Sequence, residues 1–475
     1  MIHKIDQIFI PKNFLIIGDI MLDIFEYGKV EKISSEAPVP VFTSESEGHT
    51  LGGAGNVANN LRAAGQNVHL ISLIGNDIEG DKLLNIAGNK KIIPIFLTAA
   101  GIKTTVKKRL ITERNQHVLR VDYENKELNP SQFDAKLLEL LEDNIQNMDA
   151  IIVADFNKGF LSETSLNNIV KTAKENKIPL FIDSKKKNQY CLSNSFLIKT
   201  SRKKFKENFN FSIQQLDVQA FNFINETRKR IGAENLLITL GSDGILLSND
   251  EKTSLHPTKV REIYDVSGAG NTVLSWTANA FTHGFSLEES IDVANYSAGV
   301  VVSKPGTSVV YPYELKEAIE PKDHKIFSLP DLKERTTALK SEGKKIVFTT
   351  GCFDILDKAF VHYLQKASEM GDYFVIGLNS DDSVRKIKGN DRPFNREEDR
   401  ALVLSSLYFT DAVLLFEEND PVKIVEAILP DILVKGSDCQ NENSLCYELV
   451  LKNGGRIETI PLLEEKTNSA TNRND

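Results

Sequence analysis

Cysteine is scarce in this chain. Cys191, Cys352, Cys439 and Cys446 are the only four among 475 residues, widely spread and without C-x-x-C spacing. That excludes a disulfide framework and supplies no zinc-ligand pattern, which fits a reducing compartment. Long apolar runs are missing too: none approaches the ~18 residues that span a bilayer. The N-terminus, with Asp6 and no small-residue cleavage site after an apolar core, does not read as a signal peptide. The expectation is a cytoplasmic protein without a membrane role. Positive charge is in deficit, with 57 Lys and Arg against 66 Asp and Glu and a formal charge of -9. Phosphate-backbone binding needs a dominant basic surface, so no nucleic-acid partner is expected. The basic runs Lys185-Lys186-Lys187 and Arg202-Lys203-Lys204 read first as solvated helix ends or loops, and second as small anion sites.

What is present is a soluble globular composition, 41% hydrophobic and 26% charged, on a chain too long for one typical core. Phe14 to Gly18 is an apolar run ending in Gly-Asp, a buried strand that presents Asp19 and Asp23 at its carboxyl end. Carboxylates there can accept hydrogen bonds from sugar hydroxyls, although an Asp after a strand is often only a turn residue. Leu51 to Ala64 places Gly52, Gly53 and Gly55 before a helical pattern on Val57, Leu61 and Ala64. Glycines admit a ligand to the backbone, and a helix start favours an anion or polar group. The stretch between Asp23 and Leu51 suits a lid. Val68 to Ile74, Ala150 to Val153, Pro179 to Ile182 and Asn235 to Thr239 read as further strands, each followed by a helix. Asp265 to Asn271, DVSGAGN, opens another helix with exposed N–H groups suited to a transferring phosphate. The pattern is α/β with a largely parallel sheet and ligands at its carboxyl ends.

Pro321 to Lys345 is polar and reads as a connection with a helix over Leu332 to Leu339. Four more strand candidates follow: Ile346 to Thr350, Tyr373 to Gly377, Ala412 to Leu415 and Ile432 to Val434. Expected domains are therefore 1–318, a connection over 319–343, and a smaller doubly wound unit over 344–475.

Several extended motifs carry a resemblance. Gly18 to Asp23, Ile33 to Pro40, Leu51 to Asn56, Leu119 to Asp122, Thr239 to Gly244 and Asp265 to Gly270 resemble a ribokinase-type sugar kinase. More specifically, they resemble the kinase half of the bacterial bifunctional heptose-7-phosphate kinase/heptose-1-phosphate adenylyltransferase family. Thr350 to Leu356, Gly377 to Asp381, Lys388-Gly389, Arg392-Pro393, Asp399 to Ala401 and Pro430 to Asp438 resemble its nucleotidyltransferase-like half. The resemblance implies ADP-heptose synthesis for the lipopolysaccharide core, with ATP and Mg2+ and with heptose phosphates as small-molecule partners. Ribokinase-type relatives often dimerise through their lids, which makes a homodimer an expectation.

Residue by residue, the resemblance implies that Asp19, Asp23, Gly52, Gly53 and Asn56 face the sugar. Ser201, Lys204, Gly241, Gly244 and Asp265 lie toward nucleotide or phosphate, and Gly268, Ala269 and Gly270 form an anion hole. In the second half, Gly351, Phe353, Asp354, Lys388, Arg392, Lys435 and Gly436 meet the nucleotide. No residue is assigned to a metal.

The departures from the family pattern fall on chemistry. Asn271 stands where an aspartate takes the proton from the attacking hydroxyl, and losing a general base typically costs on the order of 10²- to 10⁴-fold. Ser201 to Lys204 replaces Asn-x-x-Glu, reversing a charge beside metal and phosphate. Ser35 and Ser184 replace prolines. Asp357 and Phe360 occupy both histidine positions of His-x-Gly-His, so one phosphate donor becomes a carboxylate and the other becomes apolar. A late Ser-Thr-Thr run corresponds to Thr467-Asn468-Ser469, followed by a polar tail. Two readings stay open: an active bifunctional enzyme, or a degenerate homologue, natural or engineered, that binds without turnover. Drift would also damage folding residues, and these persist, so the pattern points to impaired catalysis in both halves.

Overall fold

The computed structural model describes residues 2–99, 101–112, 116–125, 128–186, 189–259, 264–319, 325–417, 421–436 and 445–461. It divides into two compact units, Met1–Glu320 and Pro321–Asp475. Lys187, Ser437, Asp438, Cys439 and the Thr467-Asn468-Ser469 run lie outside the described residues.

The first unit contributes β1 (Asn13–Gly18), β2 (Ile20–Ile33), β3 (Pro40–Gly53), β4 (Asn67–Ile74), β5 (Ile93–Thr98), β6 (Val106–Thr112), β7 (His117–Tyr123), β8 (Ala150–Asp155), β9 (Leu180–Ser184), β10 (Leu197–Ser201), β11 (Asn235–Thr239), β12 (Ile245–Ser248) and β13 (Thr253–His256). Nine of these form one sheet in the order β13-β12-β11-β10-β9-β8-β1-β4-β5. Its central strands are buried on both faces, which is why they read as unbroken apolar runs. Alternate residues serve opposite faces: Phe14 and Ile16 enter one core, while Leu15 and Ile17 enter the other. The strands are parallel except at one edge, where β12 and β13 run antiparallel.

That edge departs from the expectation that every strand leads into a helix. After β11 the chain makes a tight turn at Gly241 (φ +70) and Gly244 (φ +103), then a hairpin. A Cβ on Gly244 would lie 2.1 Å from the His256 carbonyl oxygen, so a glycine is needed where the turn closes on β13.

The second sheet of this unit is the lid, in the order β3-β2-β6-β7. Its two longest strands, β2 and β3, have 14 residues each. They pair antiparallel from Ile20↔Gly53 outward. The expected lid is therefore a ribbon that rises straight from the end of β1 and returns into the helix Ala54–Ala63.

The second unit has β14 (Ile326–Phe327), β15 (Ile346–Gly351), β16 (Tyr373–Asn379), β17 (Ala412–Phe416), β18 (Ile432–Gly436) and β19 (Arg456–Ile460). Their order is β14-β17-β16-β15-β18-β19, and all pairs are parallel. Part of the segment expected to connect the domains belongs to this unit. Ile326 and Phe327 form its edge strand, and Leu332, on the helix Leu329–Ser341, is buried in its core.

In both units the strand order reverses beside one strand. From β1 the chain runs to β4 and β5 on one side and to β8, β9 and β10 on the other; from β15 it runs to β16 and to β18 in the same way. Ligands in open α/β sheets bind outside the carboxyl ends of strands at such switch points.

Candidate active sites

The first switch point is the carboxyl end of β1 and β8. Asp19 is only 4% exposed, and its Oδ2 accepts the backbone N–H groups of Phe156 (2.8 Å) and Lys158 (3.1 Å). Beside it, Asp155 accepts the Ser184 hydroxyl at 2.6 Å. Burial, and after it the charge of Asp155, raises the Asp19 pKa to about 6 against those N–H donors. Asp23, on β2, accepts Arg109 Nη1 at 2.9 Å, with both side chains buried. Burial moves its pKa up and Arg109 draws it back.

The glycine run closes against these carboxylates. A Cβ on Gly52 would fall 2.6 Å from Asp23 Oδ2, and one on Gly53 would fall 2.3 Å from the Asp19 carbonyl oxygen. Gly53 also has φ +60. In the first turn of the following helix Asn56 is 0% exposed. Its Oδ1 accepts Asn60 Nδ2 at 3.0 Å, whereas its own Nδ2 has no partner. That orphan donor lies 2.7 Å from where a Gly268 Cβ would be.

Gly268, with φ +83, caps the helix Ala269–Thr282. Asp265 secures the turn by accepting the N–H groups of Ser267 (2.8 Å) and Gly306 (3.0 Å). Asn271 Nδ2 donates to the Gly53 carbonyl at 3.4 Å. Thus Asp19, Gly52, Gly53, Asn56, Gly268, Gly270 and Asn271 meet in one place, with Asp23 next to Gly52. Ser201 accepts Lys204 N–H at 3.3 Å as the cap of the helix Arg202–Phe209, and Lys204 Nζ pairs with Glu207 at 2.9 Å. Arg202 ties that helix to the Gly241–Gly244 turn through Asp243 (2.5 Å). This second group lies along the same sheet edge, at the ends of β10 and β11.

The second switch point lies beyond Gly351. Phe353 adopts φ +41, and a Cβ on Gly351 would touch its ring at 3.0 Å. Asp354, 3% exposed, accepts Arg392 Nη1 (2.5 Å) and the N–H groups of Phe394 (2.6 Å) and Asn395 (3.3 Å). Burial works to raise its pKa, but these donors outweigh it and hold the carboxyl below its usual value. The Arg392 guanidinium also stacks 3.9 Å above the Phe394 ring. A cleft of about 290 Å³ opens here, lined by Phe353, Asp354, Leu356, Asn395 and Arg400.

Asp357 and Phe360 are committed locally. Asp357 Oδ1 accepts the Phe360 N–H at 2.9 Å and caps the helix Lys358–Ser368. The Phe360 ring meets Phe353 edge-on at 5.9 Å. Lys435 and Gly436 end β18, beside β15, and Lys435 Nζ sits 5.5 Å from the Tyr447 ring. Lys388 is exposed at the end of the helix Asp381–Lys388.

The sequence profile of the pfkB family carbohydrate kinase matches residues 12–313, and that of the cytidylyltransferase-like family matches 348–461. Bifunctional protein HldE of Pelobacter propionicus is 37% identical over 462 residues, covering 96% of this chain and 94% of its own. The HldE of Helicobacter pylori is 36% identical over 92% of this chain and 94% of its own. The chain belongs to the HldE family of bifunctional proteins.

Among solved structures, phosphofructokinase-2 of Escherichia coli shares the fold of the first unit. It has a TM-score of 0.55 at 16% identity and covers 65% of this chain and 98% of its own. A ribokinase from Thermotoga maritima gives 0.51 at 17%, covering 65% and 99%. The two HldE halves correspond in sequence to the two units, so each switch point belongs to one half.

Sequence reading missed several residues that build these sites. Lys199, 5% exposed on β10, bonds Asp183 at 2.6 Å, and its Nζ lies 2.7 Å from where a Gly270 Cβ would be. Its signal was a lysine two residues before Ser201 within an apolar strand, hence on the same face. Arg400 joins the ends of β15 and β16 by donating to the carbonyls of Cys352 (2.6 Å) and Asn379 (2.9 Å). Ser184 was noted in the sequence, but not its bond to Asp155, whose carboxylate accepts the Ser184 hydroxyl.

Proposed function

We propose that this HldE-family chain carries the two sites of ADP-heptose synthesis with their chemistry impaired. The first is a kinase-type site for ATP and heptose 7-phosphate, and the second an adenylyltransferase-type site for ATP and heptose 1-phosphate. The observation that carries the proposal is Asn271. At the base position, beside the glycine-rich anion turn, stands an amide whose nitrogen already donates to Gly53. An amide does not take a proton at neutral pH. The substrate-facing parts are suited to a ligand: Asn56 Nδ2 is a buried donor without a partner, as expected of a group that a bound hydroxyl or phosphate oxygen completes.

Magnesium fits the first site poorly. Its carboxylates are already engaged: Asp19 by backbone N–H groups, Asp23 by Arg109, Asp155 by Ser184, Asp183 by Lys199 and Asp265 by two N–H groups. Small molecules are the partners in this reading, and the lid, which exposes Ile33, Val39 and Leu119, is the surface for a homodimer. The test is Asn271→Asp, alone and with Lys204→Glu, assayed for ADP release with heptose 7-phosphate. A gain on the order of 10²-fold or more over the parent is expected; unchanged rates would remove Asn271 from the account.

A further inference from the structure

One buried cation of the second unit has no part in the reaction assigned above, yet three separate segments of the cleft are fastened to it. Arg400, on the helix Glu397–Ser406, is 3% exposed. A guanidinium carries its N–H donors in a rigid planar fork. Here Nη1 donates to the carbonyls of Cys352 (2.6 Å) and Asn379 (2.9 Å), Nε to the carbonyl of Asn395 (3.0 Å), and Nη2 to Asp381 Oδ1 (2.6 Å). A lysine ammonium at the same depth has no such fork and could not hold all four acceptors.

Two of these acceptors flank the strained point of the cleft. Cys352 precedes Phe353, whose φ of +41 puts a bulky side chain in the left-handed region. Backbone of that kind persists only where its surroundings over-determine it. Asn395 stands on the other side of the turn: its N–H donates to Asp354 Oδ1 (3.3 Å) and its Nδ2 to the Asp354 carbonyl (2.7 Å). One guanidinium therefore holds both the residue before Phe353 and the residue that grips Asp354 after it. Asp354 in turn accepts Arg392 Nη1. We propose that Arg400 is a positioning residue of the second unit, which fixes the left-handed turn Cys352-Phe353-Asp354 and so sets Asp354, and with it Arg392, beside the cleft for a ligand. That the ligand is a nucleotide rests on the function proposed above; the hold on the turn does not.

Cys352 serves as the reporter. Its thiol is half-buried and lies 3.9 Å from Asn379 Oδ1, whereas Cys446 is buried in the core of the same unit. The test is alkylation of the native full chain with N-ethylmaleimide, followed at each cysteine by mass spectrometry, with and without ATP and magnesium. Arg400→Lys and Arg400→Gln are expected to speed alkylation of Cys352 by at least about 10-fold through local opening, with Cys446 unchanged. Burial holds the Cys352 thiol above its usual pKa, against the positive charges of Lys388 and Arg400. Losing the Arg400 charge alone would leave less thiolate and slow the reaction, so acceleration in the Gln variant belongs to the turn. Asp381→Asn, at a partly exposed side chain, leaves Arg400 its three carbonyls and should give a smaller increase of about 3-fold; it keeps the test open if both Arg400 variants unfold. In the parent ATP is expected to slow alkylation of Cys352, and in Arg400→Lys about 10-fold more ATP should be needed for the same protection. The parent's Cys352 rate in all three variants, Cys446 rising in step with Cys352 in all three, or equal protection at equal ATP overturns the proposal. If the turn opens in the variants but ATP does not protect Cys352 in the parent, the nucleotide reading fails and the hold of Arg400 on the turn stands.

Discussion

Asp357 and Phe360, proposed above to stand at phosphate-donor positions, serve their own helix start, the first as its cap and the second by packing on Phe353. The carboxylate caps the Lys358 helix; in the proposed reading it thereby satisfies an N–H group that would otherwise face the polyphosphate and sets negative charge beside it. Restoring the donors with Asp357→His and Phe360→His is expected to raise pyrophosphate release from ATP and heptose 1-phosphate by about 10²-fold, the scale of one or two oriented donors. No increase would mean that some other group limits this half. Asp19 gives a pH dependence. Its folded pKa of about 6 exceeds the reference value of 3.8, so between these values the folded chain keeps a proton that the unfolded chain has released. Its contribution is full below about pH 4 and is lost as pH rises through 6. Asp19→Asn should therefore shift in stability relative to the parent by on the order of 1–3 kcal/mol, in the variant's favour, from pH 4 to 7; denaturant melts at both pH values would check it. Asn271, Asp357 and Phe360 could be singled out in the sequence because motif spacing picks out those positions. Lys199 and Arg400 could not, because the groups that give them meaning, Asp183, Gly270 and the Cys352 and Asn379 carbonyls, are brought to them only by the fold.

Among the elements, the turn before the Ala269 helix bears the strongest constraint. Gly268 combines φ +83 with a neighbour, Asn56, only 2.7 Å from its absent Cβ. Gly268→Ala is expected to destabilise the chain by about 1–2 kcal/mol, the cost of a left-handed conformation with a side chain, and to weaken ligand binding. Chemical denaturation showing parent stability would contradict that constraint. Strands were legible wherever both faces are buried, as in β1, β8 and β15, since apolar continuity is imposed by the layers on either side. The β12–β13 edge was read as helical continuation because its turn depends on a close approach of Gly244 to His256. The two-residue β14 carries too little pattern for any periodicity to reveal, and only pairing with β17 makes it a strand.

For the whole molecule, both units repeat one arrangement: a largely parallel sheet whose order reverses beside one strand, β1 or β15, with a glycine-containing motif just beyond. That arrangement was legible from alternating apolar runs and glycine turns. The extent of the second unit was not, because a polar, proline-flanked segment reads as a linker until Leu332 is seen inside its core. Keeping these frameworks while replacing the groups that move protons and steady phosphates is the central claim. Its most direct test is the steady-state rate of ADP release by the unaltered chain at saturating ATP, magnesium and heptose 7-phosphate. With an amide at position 271 the expected rate is at least about 10²-fold below the 1–10³ s⁻¹ typical of enzymes. A rate within that range would contradict it.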